Sequence, residues 1–188
     1  MKLAYPLILW FRQISTKEKV ALNEKKTAPP VSFHSLSATI NNGQELPFEK
    51  LKGKKVLLVN TASDCGYTAQ YAELQQLYKH ANEDVEIIAF PANDFNDQER
   101  GSDKDIAQFC AVNFGVSFPL TKKAVVVKEA GQHPVYQWLT DPKQNGWNDR
   151  APAWNFTKYL VNEEGKLTHY FDPGVSPVST QVLKAIQE

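Results

Sequence analysis

The sequence predicts an α/β fold with a central mixed sheet flanked by helices. Two apolar runs, KVLLVNTA (residues 55–62) and VEIIAFPA (residues 85–92), have few polar interruptions. Strands covered on both faces of a sheet read this way. Each run is followed by a segment with apolar residues at helical spacing. Near the C-terminus, NFTKYLVNEEGKLTHYFD (residues 155–172) alternates on either side of an N-E-E-G turn, the pattern of an antiparallel pair.

The first 30 residues stand apart. MKLAYPLILWF carries one lysine and a short apolar run, too short to span a bilayer, and no small-x-small cleavage site follows it. An amphipathic surface helix, a membrane-interface anchor and an uncleaved signal-like segment all stay open. STKEKVALNEKKTAPP reads as a polar linker ending in Pro29-Pro30. This divides the chain into an N-terminal segment with its linker, 1–30, and one domain, 31–188.

Within the domain, FHSLSATI, the turn NNG and QELPF form an N-terminal β-hairpin. FEKLKGK is a helical turn leading into the first apolar strand. AQYAELQQLYKHA is a helix with Tyr71, Leu74, Leu77 and Tyr78 on one face. After the second strand, SDKDIAQFCAVNFG is a helix with Ser102 as N-cap and Gly115 just past its end. KAVVVK is expected as a third strand and PVYQWLTD as a short helix opened by its proline. SPVSTQVLKAIQE closes the chain with a helix. Strands alternating with helices imply parallel pairing by right-handed crossovers. The antiparallel pair and final helix complete a thioredoxin-like layout.

With 21 basic and 21 acidic residues, nothing in the charge points to nucleic acid as a partner. Two cysteines make no disulfide framework, and with four scattered histidines and no C-x-x-C they make a poor metal site. A cysteine here is core filler or a reactive thiol. Cys65 lies between a buried strand and a helix, among Ser63, Asp64, Gly66 and Thr68. Unpaired N–H groups at helix N-termini favour thiolate, the nucleophilic form. The carboxyl ends of parallel strands are also where α/β sheets place ligands.

Three blocks carry a resemblance: VNTASDCGYTAQYAEL (59–74), IIAFPANDFNDQERGSDKDI (87–106) and WNFTKYLVNEEGK (154–166). Their order and spacing resemble the glutathione peroxidase family over residues 31–188. The resemblance implies a thioredoxin-like fold and a thiol peroxidase that reduces hydrogen peroxide and organic hydroperoxides. Carried over by residue, the catalytic group falls on Cys65, Gln98, Trp154 and Asn155. A cysteine thiolate attacks one peroxide oxygen, and neutral donors such as the two amides and the indole N–H stabilise the developing charge. No cofactor is implied beyond an external thiol reductant, thioredoxin or glutathione.

Ala92, Asp94 and Arg100 depart from the residues usual in the second block, outside the catalytic group. The connection TDPKQNGWNDRAPA lacks the insertion that builds tetramer contacts and aids glutathione binding in animal members. Its absence points to a monomer or weak dimer that uses thioredoxin. That branch needs a resolving cysteine, and only Cys110 is available. Plant-type members place theirs at Ala111, which faces about 100° away on a helix. Cys110 shares a face with Ile106 and Phe109, so both a resolving and a core role stay open. Pairing with Cys65 is expected to require that helix to unwind. A different class of function, a thioredoxin-fold redox sensor or relay using the same Cys65, is separated by turnover with a reductant. The cytoplasm is the expected compartment, with the N-terminal segment leaving membrane association or export open.

Overall fold

Every residue of strand β4 (Lys55–Thr61) is buried in the computed structural model, which describes residues 19–81 and 83–188. The side chains alternate between two cores, as a period of two requires. Leu57 and Val59 join one apolar cluster with Tyr71, Leu74, Ile106 and Val182, while Val56 and Leu58 join the other with Phe33, Phe48, Trp138 and Leu139. An uninterrupted apolar run is what such a two-faced position demands.

β4 pairs in parallel with β5 (Val85–Pro91) and antiparallel with β6 (Lys158–Val161). β6 pairs antiparallel with β7 (Leu167–Phe171), and β1 (Val20–Leu22) adds to the far edge, giving the order β1-β7-β6-β4-β5. β2 (Ser37–Thr39) and β3 (Glu45–Pro47) form a separate two-stranded sheet, the expected hairpin. Helices α1 (Gln70–Ala81), α2 (Asp103–Phe114) and α5 (Thr180–Gln187) cover the first core. The short helix α3 (Pro134–Thr140) covers the second, and α4 (Pro142–Asn145) follows it. The layout is thioredoxin-like. Among the described residues no helix is long and apolar enough to cross a membrane.

Helix α2 starts and stops where its sequence says it should. Ser102 and Asp105 form a reciprocal capping box, and Gly115 takes φ +63° to end the helix.

Two expectations are corrected. KAVVVK is not a strand: its backbone groups are taken by other partners. Val126 N–H donates to Asp94 Oδ2 (2.6 Å), Ala124 N–H to Pro91 O and Lys123 N–H to Asp103 Oδ1, which leaves only isolated bridges. Part of the expected linker is also structured. Val20–Leu22 fills the open edge of β7, and Asn23 Nδ2 donates to Leu167 O and Thr27 O. The readings of residues 1–18 lie outside the described residues.

The β1 edge yields a prediction. A chain beginning at Thr27 loses about 2 kcal/mol of ladder and side-chain hydrogen bonds. Its melting temperature should fall by roughly 4–8 °C for a domain of this size, with peroxide reactivity retained. A melting temperature within a degree of the full chain would show that β1 contributes nothing.

Candidate active site

Cys65 is half-buried in the loop that leaves β4, packed against the core that holds α1 and α2. It does not lie in the first turn of α1. A run of tight turns comes first, with Thr68 N–H donating to Cys65 O and Gln70 N–H to Tyr67 O. The donor that reaches the sulfur is Tyr67 N–H, at 3.4 Å from Sγ. Thr68 shapes this loop. Its Oγ1 accepts from Cys65 N–H (3.0 Å) and donates to Ala62 O (3.0 Å), closing the loop on the end of β4. The sequence named Thr68 only as a polar neighbour of Cys65, although hydroxyl side chains in turns bond nearby backbone groups in this way.

Two further segments meet at the same end of the sheet. The loop after β5 carries Gln98 and is tied to the cysteine loop by Asp64 N–H donating to Gln98 O (3.0 Å). The turn before β6 carries Trp154 and Asn155. Asn60 anchors it from β4: its Nδ2 donates to Trp154 O (3.0 Å), and its carbonyl accepts from Phe156 N–H (2.6 Å). Phe156 has φ +65°, a left-handed conformation that a bulky residue adopts only when its surroundings hold it there. Its ring is fully buried and packs edge-on against Tyr71 at 5.3 Å. That packing keeps the kink, and the kink aims Asn155 back across the site.

The result is a direct bond between two of the expected catalytic residues: Asn155 Nδ2 donates to Gln98 Oε1 at 2.9 Å. With its oxygen so engaged, Gln98 keeps its amide N–H groups as donors. The Trp154 indole N–H makes no hydrogen bond to any described residue, and its ring lies 5.3 Å from that of Phe95. The structure therefore gathers Gln98, Trp154 and Asn155 beside the Cys65 loop. A cleft of about 450 Å³ opens beside Gln98, lined by Ser63, Asp64, Gln98, Glu99, Ile106 and Phe109 among others.

Cys110 lies inside α2 with no exposed surface, in the same apolar core against which Cys65 packs. Burial pushes its thiol up to about 11, with the Glu99 carboxylate adding to the effect and Tyr71 opposing it. The Tyr71 hydroxyl lies near Thr61 and Cys110 and is buried without a hydrogen-bond partner of good geometry.

Glu99 was also missed, because a charged residue in a polar loop reads as solvated. It is only 1% exposed. Ser63 Oγ donates to its Oε2 (3.2 Å), and Asn93 Oδ1 holds its backbone N–H (2.9 Å). Lys123 donates its ammonium to the backbone carbonyls of Glu99 and Gly101. Burial lifts the carboxyl to about 7, a rise that Ser63 and Lys123 only partly offset. Between about 4.5 and 7 the folded chain holds a proton that the unfolded chain has released, so stability falls as pH rises through that window. The shift corresponds to about 3 kcal/mol. Glu99→Gln should remove this loss and gain stability relative to wild type as pH rises from 5 to 8. Denaturant titrations at the two pH values check it, and a constant difference between the proteins would refute it.

Residues 33–140 match the family model described as glutathione peroxidase. A glutathione peroxidase-like peroxiredoxin of Saccharomyces cerevisiae is 45% identical over 148 residues, covering 78% of this chain and 90% of that protein. A glutathione peroxidase homologue of Halalkalibacterium halodurans is 42% identical over 150 residues, covering 79% and 94%. Among solved structures, Trgpx in its apo form superposes with a TM-score of 0.62 at 29% identity, covering 85% of this chain and 97% of that one. A half-buried cysteine at the end of a central strand, beside a bonded glutamine–asparagine pair, thus occurs in a chain that belongs to the glutathione peroxidase family.

Proposed function

We propose that this chain is a thiol peroxidase that reduces hydrogen peroxide and organic hydroperoxides and serves in the response to oxidative stress. Cys65 thiolate attacks one peroxide oxygen. An S–O bond forms, the O–O bond breaks, and the departing oxygen leaves as water or alcohol once protonated, with Cys65 as sulfenic acid. Gln98, Trp154 and Asn155 are its partners in that step: the Gln98 amide and the Trp154 indole donate hydrogen bonds to the thiolate and to the negative oxygen as it forms, and Asn155 holds Gln98 in place for it. The observation that carries this reading is the 2.9 Å bond from Asn155 to Gln98, which orients a neutral donor beside the cysteine loop.

The chemistry belongs to residues 31–188, with Val20–Leu22 as an added edge and the first residues outside the catalytic unit. No bound cofactor takes part. An external thiol returns Cys65 to the thiolate, and thioredoxin is preferred to glutathione. The short stretch from Thr140 to Ala153 supports that preference. Within it Asn145 and Asn148 are buried and donate to the carbonyls that close the loop, and the chain is taken to act as a monomer or weak dimer in the cytoplasm. Coupled assays with thioredoxin and with glutathione test the activity and the reductant together. Stoichiometric reaction with peroxide but no turnover with either thiol would instead favour a redox relay.

Cys110 is proposed as the resolving cysteine. Both cysteines contact one core, but Cys110 is enclosed, so α2 must loosen before the sulfurs meet. A Cys110→Ser variant should consume the first equivalent of peroxide at the wild-type rate, then stall as sulfenic acid and advance to sulfinic acid under excess peroxide. Mass spectrometry decides it. Wild type should lose two mass units in a Cys65–Cys110 peptide pair. Unchanged thioredoxin turnover in the serine variant would make Cys110 a core residue.

A further inference from the structure

Lys158 is a lysine in the core. It stands on β6 between Val59 of β4 and Phe171 of β7. It shares a face of the strand with Leu160, which belongs to the first apolar cluster. It has no exposed surface. Lysine is almost never enclosed in this way unless it is paired, and among the described residues no carboxylate stands within ion-pair distance of it. Its partners are two backbone carbonyls in the turn that leaves β7: Nζ donates to Pro173 O (3.1 Å) and to Val175 O (2.6 Å). Burial brings the ammonium down to about 7, against the pull of Glu73 from α1 and Asp172 from the end of β7. Both protonation states have enough N–H groups for the two carbonyls. An apolar side chain could fill this place without the cost of burying a charge, so stability alone does not account for a lysine.

The turn that Lys158 holds leads to the cysteine. Pro173 O accepts a second hydrogen bond, from Gln70 Nε2 at 2.7 Å, and Gln70 is the first residue of α1. The Gln70 backbone N–H donates to Tyr67 O at 2.9 Å, and Tyr67 N–H is the donor that reaches Cys65 Sγ at 3.4 Å. A second contact runs alongside: the Tyr67 hydroxyl lies 3.5 Å from where a β-carbon on Gly174 would stand. Lys158, Pro173, Gln70, Tyr67 and Cys65 thus form one unbroken path of hydrogen bonds.

We propose that Lys158 is a positioning residue for Cys65: by holding the Pro173–Val175 turn against Gln70, it fixes the loop that presents the Cys65 sulfur to peroxide. This rests on the reading of Cys65 as the nucleophile. The thiolate must meet peroxide in line with the Gln98 and Trp154 donors, which stand on other segments. A small shift of the cysteine loop therefore costs rate without removing any reacting group. Lys158 lies just beyond Asn155 in the chain. One strand, β6, then carries both the turn that bears the donors and the support of the loop that bears the sulfur.

The test separates position from ionisation and from folding. Reduced full-length protein is mixed with hydrogen peroxide in single-turnover stopped flow. The same protein is alkylated with iodoacetamide and followed by mass at Cys65, a reaction that needs the thiolate but none of the neighbouring donors. Lys158→Met should slow oxidation by peroxide at least about ten-fold, with alkylation within about two-fold of wild type. Gln70→Leu leaves the lysine in place, breaks the next link of the path, and should show the same split. The double variant should be about as slow as the slower single variant, since both interrupt one path. Thermal melts on the same samples report the folded fraction, whose loss lowers both rates alike. Equal losses in oxidation and alkylation would overturn the proposal, and so would a folded Lys158→Met that oxidises within about a factor of three of wild type. If Lys158→Met does not fold, Gln70→Leu decides: the split supports the proposal and an unchanged peroxide rate overturns it. Peroxide reactivity that survives in Cys65→Ser removes the nucleophile reading and this proposal with it. Reactivity that depends on Cys65 but shows no split in either variant removes this proposal alone.

Discussion

Cys65→Ser is expected to lower peroxidase turnover by on the order of 10³-fold or more while leaving the fold intact. The reason is chemical: a serine hydroxyl is not ionised near neutral pH, so the nucleophile is lost whatever the surrounding donors do. The fold should survive because Cys65 is only half-buried and its side chain accepts one long bond, from Tyr67 N–H at 3.4 Å. The bonds that shape the loop run through its backbone and through Thr68. Stopped-flow peroxide consumption and a thermal melt on the same sample check both halves. Residual activity above about a tenth of wild type, with the melt unchanged, would remove Cys65 as the nucleophile.

The second largest effect is expected at the amide pair. Removing one donor from a site of this kind costs about 10²- to 10³-fold, so Gln98→Ala should slow oxidation of Cys65 by that factor. Asn155→Ala should approach it, because Asn155 holds the Gln98 oxygen and so sets which way the amide points. The two changes should not add. Once either partner is gone the other no longer orients anything, so the double variant should be about as slow as Gln98→Ala alone. Re-reduction of oxidised Cys65 should change little in all three, since the reductant brings its own thiol. Single-turnover oxidation rates within a factor of three of wild type would take the pair out of the mechanism. Multiplying effects would show two independent donors instead of one oriented unit.

The donor pair was legible in the sequence only as two polar residues in two recognisable blocks. Gln98 and Asn155 are 57 positions apart, and no local pattern states that one donates to the other. The elements that meet a local rule were read correctly. The apolar runs of β4 and β5 needed no partner to declare themselves, and Ser102 and Gly115 announced the ends of α2. KAVVVK failed because its propensity for a strand was real but its hydrogen-bonding groups were claimed by Asp94, Pro91 and Asp103. Val20–Leu22 failed in the opposite direction. Three residues within a charged, polar stretch carry almost no pattern, and they became a strand because β7 offered an open edge.

The sequence by itself determined the order of β4, α1, β5, α2, β6, β7 and α5, the placing of Cys65 at the end of a buried strand, and the family to which its three blocks belong. The first two follow from periodicity and turn chemistry, which act over a few residues and are written in the order of the side chains; the family follows from the likeness of the three blocks to its motifs. Only the tertiary structure decided that Asn155 and Gln98 are bonded, that Phe156 is held in a left-handed kink to aim them, that Cys110 is enclosed, and that Glu99 is an interior acid. Each of these depends on which distant segments exclude water from a group and which of its polar atoms they satisfy. Desolvation and long-range hydrogen bonding are properties of the packed chain, so a glutamate spelled like a loop residue can end 1% exposed in the interior.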